Sequence, residues 1–96
     1  MAQFIQYTCG HDMLPAVEAL LAANKYTIIV ARQISSTGTT TVVMQCGATV
    51  VLLMYNPATD VTELEVWGSA RGATTDLLQS LPFPLHRRPY KHTPAN

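Results

Sequence analysis

Charge is scarce in this chain: Asp, Glu, Lys and Arg make up 12% of its 96 residues, about half the ~25% of an ordinary domain. The six residues of each sign cancel. That balance excludes the broad basic surface of a typical nucleic-acid binder and the acidic excess of a nucleic-acid mimic. Cysteine is equally sparse. Cys9 and Cys46 are too few for the disulfide framework of a small secreted domain, and in a reducing compartment both are read as thiols. No apolar run approaches membrane length. The longest, Ala48 to Tyr55, is broken by Thr49 and falls far short of a ~30 Å hydrocarbon core. The opening MAQFIQYTCG has no Lys or Arg, so it does not read as a secretory leader. These absences together predict a soluble, cytoplasmic protein with no membrane contact.

Chemistry-bearing motifs are missing too. No repeat of 20 to 50 residues is visible, and there is no phosphate-binding glycine loop, nucleophile elbow, H-E-x-x-H or kinase-type signature. The chain is expected to be non-enzymatic and to work without a cofactor, zinc being the one alternative.

What is present is a core-forming pattern: 48% of the residues are hydrophobic, enough for one domain of this length. Residues 1–81 are expected to form a single unit and 82–96 an extended tail, since PFPLHRRPYKHTPAN carries four of the six prolines and no acid. Met13, Leu14, Val17, Leu20 and Leu21 recur at helical spacing, with Asp12 in front as a cap, Pro15 in the first turn and Asn24 as a left-handed stop. The spacing predicts a helix over 12–24. Strands are expected over Tyr26–Ile34, Thr39–Cys46, Thr49–Tyr55 and Val61–Trp67, separated by SSTG, Gly47 and NPATD. Phe4–Cys9 is a candidate first strand. Thr74–Leu81 reads as a short helix capped by Thr74 or Thr75 and ended by Pro82. Short loops between successive strands favour an antiparallel meander. The expected class is α+β: a four- to five-stranded antiparallel sheet with two short helices in the order (β)-α-β-β-β-β-α.

Two short helices shield about one face of such a sheet, yet Thr49–Tyr55 is apolar on both sides. The surplus apolar area predicts an interface, with Val43, Val51, Leu53, Tyr55 and Trp67 as its residues and a homodimer as its default form. A strongly curled sheet that wraps the surplus into its own core is the competing reading. The leading expectation is therefore a small binding or regulatory protein acting on a macromolecular partner, by preference a protein.

Three further features carry candidate chemistry. Cys9, His11 and Cys46 offer soft and borderline ligands for zinc, with His86 or His92 as a fourth, although only Cys9 and His11 are close in sequence. Their plainer reading is two small buried hydrophobes and a histidine near a helix start. Glu63 and Glu65 share one side of a strand, as a carboxylate pair or a solvated face would. Arg87, Arg88, Tyr90 and Lys91 form a basic cluster with an interleaved aromatic, suited to an acidic protein groove or, as a lesser alternative, to nucleic-acid phosphate. The rest of the chain sums to minus three, so no basic surface extends it.

Overall fold

Turn chemistry lays out the sheet. The computed structural model describes residues 4–68, 71–81 and 85–88. Gly47 and Ala48 close a two-residue hairpin between β3 (Thr40–Cys46) and β4 (Thr49–Asn56). Gly47 takes φ +60 there, a positive φ in the first turn position that suits glycine. Pro57–Asp60 turns β4 into β5 (Val61–Trp67), and the Asn56 side chain accepts from the Ala58 amide at 2.9 Å, as Asx turns do. Ser35–Thr39 joins β2 (Thr27–Ile34) to β3, with Gly38 at φ +88. Each connection is too short for anything but antiparallel pairing, and β2 to β5 form the expected meander.

The stretch at the N-terminus does join the sheet. β1 (Phe4–Gly10) pairs antiparallel with β5, so it fills the side of β5 that the meander leaves open. The sheet then takes one strand more than expected. His86–Arg88 forms a short β6 on the far side of β1, giving the order β2-β3-β4-β5-β1-β6. The folded unit therefore runs past residue 81, and Leu85 packs against the core.

Both helices lie on one face. α1 (Leu14–Ala23) sends Leu14, Val17 and Leu21 into the sheet, and α2 (Arg71–Leu78) sends Leu78 and Thr74. They close over Tyr7, Val42, Met44, Val51, Leu53, Leu64 and Val66. Side chains this deeply buried stabilise the fold by about 1.5–3 kcal/mol each relative to exposure.

The helix ends differ from expectation for local reasons. Asp12 does not cap at its own position: its carboxylate accepts from the Leu14 amide at 3.2 Å, and Met13 precedes the helix. Buried Thr62 on β5 holds this junction, donating to the His11 carbonyl at 2.6 Å and accepting from the Met13 amide at 3.1 Å. At the other end Lys25, not Asn24, takes the left-handed conformation, with φ +73. Asn24 instead donates its side-chain amide to the Leu20 carbonyl at 2.8 Å. Thr74 and Thr75 lie inside α2 rather than at its start. Thr75 accepts from the Tyr7 hydroxyl at 2.9 Å, and Thr74 shares a short bond with the Tyr26 hydroxyl, so the two threonines tie α2 to β1 and to the start of β2. Local sequence cannot reveal a tie between residues 68 and 48 positions apart. It exists only once the layers are stacked.

Candidate functional site

The length of one turn decides what faces outward. Four residues between β4 and β5 place Asn56 opposite Val61, hence Leu53 opposite Leu64 and Val51 opposite Val66. Directly opposed residues share a face. Glu63 and Glu65 cannot sit under the helices without losing solvent, so Leu64 and Val66 do. Leu52, Met54 and Val50 then stand beside Glu65, Glu63 and Trp67 on the helix-free face. β3 adds Val43 opposite Leu52, Gln45 opposite Val50 and Thr41 opposite Met54, while β1 adds Gln6 and Thr8 beside the two glutamates.

This face is divided. Its β3–β4 half is aliphatic, from Val43, Val50, Leu52 and Met54, and its β5–β1 half carries carboxylate, amide and hydroxyl groups. All of these side chains are half-buried. Trp67 stands at the seam and donates its indole N–H to Glu65 Oε1 at 3.1 Å, while Gln6 donates to Glu65 Oε2 at 3.3 Å. Both oxygens of Glu65 are thereby engaged, and the Glu63–Glu65 pair is not a free acid–base dyad.

The expected interface residues divide accordingly. Val43 and Trp67 lie on the helix-free face. Val51 and Leu53 do not: both are fully buried beneath the helices, so they are core and not contact surface. Tyr55 shares their side and is spent on Asp60. The strand is apolar on both sides, and its own pattern does not say which side is covered. The count of four residues in the Pro57–Asp60 turn, read with the two glutamates, was the signal that places Val50, Leu52 and Met54 outward instead.

A second cluster sits at the end of the sheet. His11 and Asp60 both adopt positive φ, +67 and +54, uncommon for non-glycine residues, and they hold each other there. The His11 amide donates to the Asp60 carbonyl at 2.8 Å, and the imidazole Nδ1 lies 2.7 Å from Asp60 Oδ2. Tyr55 donates its hydroxyl to Asp60 Oδ1 at 2.6 Å. The hydrogen bonds from Tyr55 and His11 hold the Asp60 carboxyl below its ordinary range, and the same bond raises the Tyr55 phenol. The cluster staples the β4–β5 turn to the segment between β1 and α1.

The three candidate zinc ligands do not converge. Cys9 lies next to the last residue of β1 and registers with Thr62, whereas Cys46 ends β3 at the opposite end of the sheet, three strands away. Strand spacing and rise put them more than about 20 Å apart, and His11 is turned to Asp60. Among the described residues no three His, Cys, Asp or Glu side chains gather as a metal site. The same distance excludes a Cys9–Cys46 bridge, and both are free thiols. Burial raises the Cys9 thiol, the opposite of what activates a nucleophile. Cys46 opens onto an apolar cleft of about 590 Å³ with Tyr26, Ala73, Thr74 and Leu77.

Of the basic cluster, Arg87 and Arg88 belong to β6 beside β1, while Tyr90 and Lys91, like His92, lie outside the described residues. Among the described residues no helix is long and apolar enough to cross a membrane. Set against protein families, curated proteins and solved structures, the chain finds no match in any of the three.

Proposed function

We propose that this chain is a small non-enzymatic binding protein whose helix-free sheet face docks a protein partner. The observation that carries the reading is the run of Val43, Val50, Leu52 and Met54 on two adjacent central strands, with no helix over it among the described residues. An aliphatic surface beside a polar half matches the core-and-rim pattern of interfaces. Trp67, fixed by Glu65 at the junction, supplies the rigid aromatic anchor on which contact energy concentrates. The partner surface that fits is apolar opposite β3–β4 and polar opposite the β5–β1 half.

A photo-activatable cross-linker at Leu52, compared with one at exposed Ala16 on α1, tests this in the native host. Saturable capture of one protein species from position 52, absent from position 16 and lost in a Met54→Lys background, is the expected outcome. Equal, unsaturable labelling from both positions overturns it.

A further inference from the structure

β2 is a long strand with an open flank. It stands at the end of the strand order, bonded to β3 on one side only, whereas the other edge, β6, spans three residues. All eight residues of β2, TIIVARQI, are exposed, including Ile28 at 52%, Ile29 at 49%, Val30 at 39% and Ile34 at 68%. Four large aliphatic side chains on one exposed strand leave on the order of 400 Å² of apolar area in water, divided between the two sides of the sheet edge.

Edge strands are normally guarded by proline, lysine, inward charges, bulges or shortness, because a row of unpaired N–H and C=O groups is a template for another strand. β2 has no proline or glycine and a single charge. That charge, Arg32, is drawn onto α1, where its guanidinium lies 2.7 Å from Glu18, and so it does not fence the edge. Its one guard is a pair of register offsets against β3, between Ile28 and Val30 and between Val30 and Gln33. The offsets are unevenly spaced, yet the face pattern they leave pairs residues about Val30. Thr27, Val30 and Gln33 register with Gln45, Val43 and Thr41, all on the helix-free face, while Ile28 and Arg32 both belong to the helix side.

We infer that the occupant of this edge is a second copy of the chain, paired antiparallel with β2 about a two-fold axis at Val30. In that register Val30 meets Val30, Thr27 meets Gln33, and Ile28 lies against the aliphatic stem of Arg32. Equivalent residues share a face in every one of these pairs, as strand pairing demands. The two Arg32 side chains are not opposed. Zero net charge lets two copies approach without overall repulsion. Edge pairing covers the strand backbones and only the flanks of these side chains, so the interface stays below the roughly 1,200 Å² of small specific interfaces, which gives a dimer that dissociates on dilution. Self-association thus falls at the sheet edge and not on the face that the sequence pointed to. It would join the two helix-free faces into one continuous floor.

Sedimentation equilibrium over a dilution series tests the pairing, with Val30→Lys and Leu52→Lys as variants. The expected result is a dimer at high micromolar concentration that becomes a 10.5 kDa monomer on dilution. Val30→Lys, which stacks like charges on the axis, stays monomeric throughout, and Leu52→Lys dimerises normally. A second variant does not depend on how lysine is tolerated: Val30→Cys, in a Cys9→Ala and Cys46→Ala background, should oxidise to a disulfide-linked dimer, and Ile34→Cys should not. A wild-type monomer at every concentration overturns the inference, as does a dimer that survives Val30→Lys and is lost in Leu52→Lys. Either result leaves the cross-linking outcome at Leu52 to judge the docking face separately.

Discussion

The two faces of this sheet are written in alternate residues of the same strands, and their compositions on β4 are nearly equal. Val51 and Leu53 are fully buried under α1 and α2; Val50, Leu52 and Met54, one residue away in each direction, have no helix above them among the described residues. Hydrophobicity alone therefore did not sort covered from uncovered. The sorting came from β5, where Glu63 and Glu65 had to remain near solvent and the four-residue turn transmitted that demand across the ladder to β4. Charge on one strand chose the contact surface of its neighbour.

The comparison breaks most visibly at neighbouring leucines. Leu53→Ala should lower unfolding free energy by about 2–5 kcal/mol, because it opens a cavity beneath the helices. Leu52→Ala should cost below about 1 kcal/mol, in line with a surface position. Urea unfolding followed by far-UV circular dichroism measures both, and equal losses would mean that the helix-free face is covered after all.

A smaller effect separates the two thiols. Cys9 is buried among the core residues and its thiol is raised by that burial, whereas Cys46 borders an open cleft. Iodoacetamide should modify Cys46 first by roughly tenfold or more, with Cys9 protected until the chain unfolds. Peptide mapping over time reads the order, and modification of Cys9 at the rate of Cys46 would contradict its burial.

The smallest expected change lies at the exposed end of the sheet. Asp60 has a folded pKa below its unfolded value, so its contribution is present above about 3.9 and is lost as pH falls through the folded value. Tyr55 has a raised folded pKa, so its contribution is present below about 10 and is lost as pH rises through the folded value. Asp60→Asn should flatten the acid limb of the stability curve and leave Leu53→Ala equally costly at neutral pH. An unchanged acid limb in that variant would show that the His11–Asp60–Tyr55 staple contributes nothing in solution.

Much of this molecule is legible in its sequence. Val61–Trp67 was read to the residue, because its alternation of Thr62, Leu64 and Val66 with two glutamates is unambiguous. The helix through Val17 and Leu21 and the hairpin at Gly47 were equally clear from spacing and turn chemistry. What could not be read is of one kind. Tyr7 with Thr75, Tyr26 with Thr74, Thr62 with the His11 carbonyl and Asp60 with His11 all join residues 48 to 68 positions apart. No local pattern announces a hydroxyl's partner at that distance. The zinc reading of Cys9, His11 and Cys46 failed for the same reason: residue type signals coordinating ability, and only strand order determines whether the ligands meet.

By itself the sequence determined the element types and the meander, because alternation period, glycine at turns and loop length are local properties that a few neighbouring residues settle. Tertiary structure alone decided which side of an all-apolar strand is core, that β1 and β6 extend the sheet beyond the meander, and that β2 is left at its edge. Those outcomes depend on which layers stack and which strands become neighbours, and packing across the whole chain sets both.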